Sequence, residues 1–89
     1  MKFRLTYTMP DGNEKPVFTG SDNGEFEANN IAFAKRQGAE LVKKHMDVMG
    51  LISQTSANWE GNLSKCSKNV FCYQNGDPIH VIFNLYAIG

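Results

Sequence analysis

The chain opens on a strict alternation: Phe3, Leu5, Tyr7 and Met9 are apolar, while Lys2, Arg4, Thr6 and Thr8 between them are polar. A period of two sends the two sets to opposite faces, which predicts a strand with one buried and one wet side. The stretch "MPDGNEKP" follows, and its Asp11-Gly12 pair suits a tight turn. "PVFTG" then predicts a returning strand, with Pro16 at its start in keeping with an edge position. Gly20, Ser21, Asp22, Asn23 and Gly24 keep that strand short.

From about Asn29 the period lengthens. Ile31, Ala34, Gly38, Leu41, Val42, His45 and Met49 recur at spacings of three and four, and Lys35, Arg36, Glu40, Lys43, Lys44 and Asp47 fill the opposite side. That is the pattern of an amphipathic helix of about five turns. Asn29 or Asn30 caps its start by accepting a backbone N–H bond, and Gly50 ends it in a left-handed conformation. A glycine inside a helix costs about 1 kcal/mol against alanine, so Gly38 predicts close packing against the sheet.

After the helix the strand signal returns. "LISQTSANW" predicts a strand exposed on one side, "EGNLSKCSKN" a connection, and "VFCYQNGDPIHVIFNLYAIG" a hairpin turning at Asn75-Gly76. A two-residue loop there puts Gln74 opposite Asp77, Cys72 opposite Ile79 and Phe71 opposite His80. The expected fold is therefore α+β: an antiparallel sheet of about five strands with one amphipathic helix on one face, in the order ββ-α-βββ, as a single domain over residues 1–89.

The widths do not match. Five strands at about 4.8 Å spacing span near 20 Å, whereas a helix covers about 10 Å. If Val81, Phe83 and Leu85 face the helix, then Ile82, Tyr86 and Ile88 face away from it, and the hairpin register adds Phe71, Tyr73 and His80, with Trp59 joining from the preceding strand. An aromatic patch without a covering layer marks a contact surface. The expected partner-binding residues are thus Phe71, Tyr73, His80, Ile82 and Tyr86. A second copy of the chain, or the N-terminal hairpin folded over the face, are the alternative covers.

Composition narrows the chemistry. The apolar fraction of 42% supports a folded core, and nine basic against nine acidic side chains remove the simplest electrostatic case for nucleic acid. The alternating N-terminus is unlike a signal peptide and no run approaches the ~18 apolar residues of a membrane span, so a cytoplasmic protein without membrane contact is expected. Cys66 and Cys72 on one continuous strand would stand about 20 Å apart, beyond disulfide reach, which favours two reduced thiols. His45, His80, Cys66 and Cys72 lack the paired short spacings of a zinc site, so no metal or cofactor is expected. Cys72 and His80 fall on opposite faces, no carboxylate pair converges, and "GSDNGE" lacks the Lys-Ser/Thr of a phosphate-binding loop; the expectation is a protein that is not an enzyme.

Nucleic acid stays open through a second feature. Lys35, Arg36, Lys43 and Lys44 give the helix a basic side that, with Tyr73 and Tyr86, has the elements of phosphate binding and base stacking, although Glu40 and Asp47 interrupt it. No ribonucleoprotein motif is present, and the chain ends in a strand where a double-stranded-RNA domain ends in a helix.

In layout the chain resembles small phage-encoded anti-CRISPR proteins, several of which are antiparallel sheets with one helix on one face. The similar features are the opening strand "KFRLTYT", the helix "NNIAFAKRQGAELVKKH" and the closing strands "NVFCYQNG" and "IHVIFNLY". The resemblance implies a compact inhibitor, encoded by a phage or mobile element, that binds a larger host protein or nucleoprotein complex and blocks it sterically. Many such proteins are acidic DNA mimics, whereas this chain is neutral, which favours occlusion over mimicry. A cystatin-like inhibitor also carries one helix on a sheet, but its Q-x-V-x-G loop is missing.

Overall fold

A computed structural model describes residues 1–18, 23–54 and 57–89 of the chain. The opening alternation forms β1 (Lys2–Thr8), with Phe3 and Leu5 fully buried on one side. The turn after it closes earlier than expected. Met9 and Asn13 are bridged by a backbone bond, Asp11 accepts from the Asn13 N–H, and β2 is Glu14–Pro16, ending where the predicted "PVFTG" strand was to begin. Thr19 and Gly20 of that stretch lie outside the described residues, as do Ser21 and Asp22.

A further strand, β3 (Glu25–Glu27), pairs with the first half of β1, while β2 pairs with its second half. Leu5 joins the two: its N–H donates to the Gly24 carbonyl and its own carbonyl accepts from the Val17 N–H. β2 and β3 thus follow one another along a single edge. Gly24 is required at the junction, because it has φ +71° and a Cβ there would overlap the Leu5 carbonyl oxygen.

Helix α1 (Ile31–Met49) forms as its pattern predicts. Asn30 is the N-cap, accepting from the Phe33 N–H at 3.0 Å, and Gly50 closes the helix at φ 70°. Ala34, Gly38, Val42, His45 and Met46 form the buried stripe. The close contact at Gly38 is made chiefly by the Trp59 indole, whose Cζ2 would lie 3.2 Å from a Cβ on that residue. Trp59 is not on the face expected for it. It stands on the helix side, where its Nε1–H donates to the Lys35 carbonyl at 2.9 Å.

After α1 come β4 (Leu51–Ser53), β5 (Glu60–Gly61), β6 (Lys65–Gln74) and β7 (Asp77–Ala87). β4 and β5 both pair with β6, so the second edge is also made of two short pieces; Thr55 and Ser56 of the expected "LISQTSANW" strand lie outside the described residues. The supposed connection "EGNLSKCSKN" holds β5 and the start of β6, turned by Asn62, whose Oδ1 accepts from the Ser64 and Lys65 N–H groups. The β6–β7 hairpin has the expected register at Gln74–Asp77, Cys72–Ile79 and Phe71–His80, with φ of 53° at Asn75 and 85° at Gly76, as a type I′ turn requires.

The class is α+β and every pairing among the described residues is antiparallel, but the expected count of about five strands in the order ββ-α-βββ is corrected, among those residues, to seven in the order βββ-α-ββββ. The sheet runs β2-β1-β7-β6-β4, with β3 continuing the β2 edge and β5 the β4 edge. Strands of two or three residues are too short to carry a period, which is why the split edges left no pattern. The core lies between α1 and the sheet, where Phe3, Leu5, Val81, Phe83 and Leu85 have no solvent exposure. Each is worth roughly 1.5–3 kcal/mol of burial.

Cys66 and Cys72 share this buried face as free thiols; burial pushes both above the usual thiol range, and Cys72 Sγ–H donates to the Ile79 carbonyl. His45 is buried between the Tyr7 ring at 4.4 Å and the Phe83 ring at 6.0 Å, and its Nε2 has no hydrogen-bond partner among the described residues.

Gly24→Ala and Gly61→Ala should each destabilise the fold by about 2–3 kcal/mol in urea titrations, because a Cβ at Gly61 would lie 2.5 Å from the Lys65 carbonyl oxygen and at Gly24 on that of Leu5. Gly12→Ala, equally left-handed but in open space, should cost about 1 kcal/mol. Burial lowers the pKa of His45 below 6.5, so the unfolded chain takes up a proton there that the folded chain refuses. Stability is retained above pH 6.5 and falls as pH drops through 6.5 toward the folded value; His45→Met should flatten that slope in pH-dependent melts.

Candidate functional site

Every second residue of the central strands points away from α1. On β7 these are Pro78, His80, Ile82, Asn84 and Tyr86, opposite Tyr73, Phe71, Asn69, Ser67 and Lys65 on β6. Arg4, Thr6 and Thr8 on β1 continue the rows beside Tyr86, Asn84 and Ile82. No helix of the described residues lies over this face, and the N-terminal hairpin, one of its expected covers, is in the plane of the sheet as an edge. The face divides into an aromatic end and a polar end.

At the aromatic end Phe71 stacks on the His80 ring, with centroids 4.4 Å apart and planes 9° from parallel. His80 Nε2 is in turn hydrogen-bonded with Asn69 Oδ1 at 3.0 Å. Tyr73 lies between Ile52 on β4 and Pro78 on β7. Phe71 is 51% exposed, Tyr73 42% and Ile52 69%, which is a contiguous apolar surface held by strands rather than loops.

The polar end is a ladder of side-chain bonds across four strands. Ser67 Oγ–H donates to Asn84 Oδ1, and Asn84 Nδ2 donates to Thr6 Oγ1 and Thr8 Oγ1 at 3.3 and 3.1 Å. The Thr6 and Tyr86 hydroxyls both donate to Glu14 Oε2, at 2.6 and 2.7 Å. These bonds hold the Glu14 carboxyl below the usual carboxylate range. Burial, then the Glu14 carboxylate, pushes Tyr86 up to about 12. Both groups are moved away from neutrality, the opposite of what proton transfer near pH 7 needs. Next to the ladder is a shallow depression of about 540 Å³, bordered by Arg4, Glu14 and Ile88.

The five residues expected at a partner surface all lie on this face, but they do not form one cluster. Phe71, Tyr73 and His80 meet at the aromatic end, and Ile82 is half-buried beside them. Tyr86 is six residues along β7 from His80, about 20 Å away, with its hydroxyl on Glu14 and its ring under the Lys65 ammonium. Ile52 and Pro78 take its place in the patch. Ile52 was legible only as the polar-side partner of Leu51 in "LIS".

The helix cations are placed differently again. Lys35 and Lys44, nine residues apart, project to opposite sides of the axis after about two and a half turns. Arg36 lies 5.5 Å over the Phe33 ring, and Lys43 borders a cleft beside β6. All four belong to α1, on the other side of the sheet from Tyr73 and Tyr86. A single nucleic-acid site built from helix cations and sheet aromatics is therefore not assembled. On the open face itself Lys2, Arg4 and Lys65 meet Glu14, Glu25, Glu27 and Glu60. Glu25 pairs with both Lys2 and Arg4.

Among the described residues no group of three or more His, Cys, Asp or Glu side chains converges as a metal site, and no helix is long and apolar enough to cross a membrane. Compared with known proteins, the chain matches no family model, no curated protein and no solved structure.

Removing the Tyr86 hydroxyl while keeping its ring should isolate the ladder's contribution. Tyr86→Phe is expected to lose about 1 kcal/mol at pH 7 in urea unfolding. The wild type should lose stability as pH rises from 10 through about 12, because the folded phenol keeps a proton that the unfolded one releases; the variant should not show that loss. On the acid side, the stabilisation from Glu14 is present above about pH 4.5 and is lost as pH falls through its lowered folded value.

Proposed function

We propose that this chain is a small non-enzymatic binding protein whose aromatic sheet end, centred on Phe71 and Tyr73, docks on a larger protein or nucleoprotein complex. The observation that carries this reading is the Phe71–His80 stack: an aromatic ring half exposed to solvent, yet fixed in orientation by a parallel neighbour and by the Asn69 bond beneath it. A ring already immobilised loses little side-chain entropy on docking, which is what an interface anchor requires.

The charges of the face support a protein contact over a direct nucleic-acid contact. Three cations and four carboxylates are interspersed there, and Lys2 and Arg4 are already paired with Glu25, so no field of one sign attracts phosphate. The layout is in keeping with the anti-CRISPR-type inhibitors, and steric occlusion of a nucleoprotein effector in the cytoplasm of a bacterial host is the mode of action proposed.

The test uses purified RNA-guided effector complexes of the main architectural types. The protein should co-elute with one of them and slow target cleavage, and Phe71→Ala or Tyr73→Ala should each weaken capture by about 2 kcal/mol, near thirtyfold in Kd, while melting cooperatively. Cleavage unchanged across all the complexes would remove the inhibitor reading. A concentration-dependent dimer abolished by Phe71→Ala would assign the patch to a second copy of the chain instead. Lys35→Glu with Arg36→Glu should leave capture unchanged; loss of capture there, or a salt-sensitive shift with bare DNA or RNA, would favour the nucleic-acid alternative.

A further inference from the structure

On the helix side of the sheet a cleft of about 360 Å³ lies between α1 and β6, at the part of β6 between its β4 and β5 pairings. Buried Val42, Met46 and Val70, with partly buried Ala57, give it an apolar lining. Its charged lining is Lys43 from α1 and Lys68 from β6. Among the described residues no carboxylate lies within 4.0 Å of either ammonium group.

Lys68 is unusual for a lysine. It is half-buried, its Nζ stands 5.0 Å over the Trp59 ring, and that ring is anchored by its bond to the Lys35 carbonyl and its packing on Gly38. An ordinary lysine extends its head into water, whereas this one is held at the cleft by an immobile indole. Burial, and Lys43 after it, push its pKa down, as expected for two like charges sharing an apolar site. Two cations with no carboxylate among the described residues within 4.0 Å, over an apolar lining of the size of a small-ligand pocket, complement an anion that carries its own apolar body.

We infer that this cleft binds a small organic anion, its apolar body on Val42, Met46 and Val70 and its carboxylate or phosphate head between Lys43 and Lys68. The site lies across the sheet from the aromatic patch and goes beyond the docking function, so neither reading stands or falls with the other.

Trp59 is the chain's one tryptophan and reports directly on Lys68. Titration with octanoate should change its fluorescence saturably, with Kd at or below about 1 mM, and should shift the Val42 and Val70 methyl resonances. Octanol, which lacks the charge, and acetate, which lacks the body, should each bind at least tenfold more weakly. Octyl phosphate distinguishes the heads: tighter binding than octanoate assigns a phosphate ligand, and weaker binding a carboxylate. Lys68→Gln and Lys43→Gln remove the charge but leave a polar side chain, and should each weaken octanoate at least tenfold, with the methyl spectrum showing the fold intact. Equal affinity for octanol and octanoate, equal affinity in both glutamine variants, or no saturable signal from either anion up to about 10 mM would overturn the assignment.

Discussion

Strand β7 lies between β1 and β6, and the way its eleven residues divide decides what the remaining elements must do. Val81, Phe83 and Leu85 are without solvent exposure beneath α1, so the single helix is spent on that side. The alternates have to be stable without a covering layer. They achieve this in two ways: Asn84 and Tyr86 are satisfied by hydrogen bonds to Thr6, Thr8, Ser67 and Glu14, and His80 is shielded by the Phe71 ring. The first solution closes the surface chemically along the ladder, because the side-chain polar atoms of Asn84 and Tyr86 already have partners. The second leaves an apolar ring in water.

The interrupted edges follow from the same shortage of chain. A five-lane sheet needs two edge strands, and long, flat, unpaired edges invite association with other chains. Here each edge is made of two short strands, and each side has a crowded backbone approach, Gly24 against Leu5 at the β2–β3 junction and Gly61 against Lys65 and Cys66 within the β5–β6 hairpin. Broken edges make poor templates for strand addition, which leaves the faces as the surfaces for recognition. On the β6 side the two-piece edge also coincides with the cleft beside α1, so that one economy of construction and one potential ligand site share a location.

Much of this was readable from residue order. The helix, its Asn30 and Gly50 ends, and the β6–β7 register were legible because each rests on local rules: a period of 3.6, a cap that accepts an N–H, and two adjacent residues at ease with positive φ. The assignment of β7 alternates to opposite faces followed from the pleat alone. The edges were not legible, because three residues hold no period and their pairing is fixed by non-local bonds to Leu5 and Phe71. Trp59 was misplaced because a bulky aromatic in an irregular stretch has no strand to define its side; only Gly38, twenty-one residues earlier, signalled that something large would press on the helix. Tyr86 was grouped with Phe71 by parity, which gives the face but not the distance along it. The signal that could have separated them was Asn84, a polar residue inside the run "HVIFNLY" and in register with Thr6.

The two ends of the open face are therefore unequal as recognition surfaces, and the reason is hydration. At the polar end a partner would have to replace water around groups that are already bonded to one another, recovering little, since the Glu14, Thr6 and Tyr86 bonds would persist unchanged. At the aromatic end Phe71, Tyr73 and Ile52 present apolar area whose removal from water is favourable without any rearrangement, and the strands beneath them are pinned by the hairpin register. Specificity would then come from the boundary between the ends, where Asn69 and Ile82 face each other and a partner must match apolar contact on one side with hydrogen bonding on the other. A patch of this kind selects by shape and by the position of that boundary rather than by net charge, which accords with a chain whose charges sum to zero.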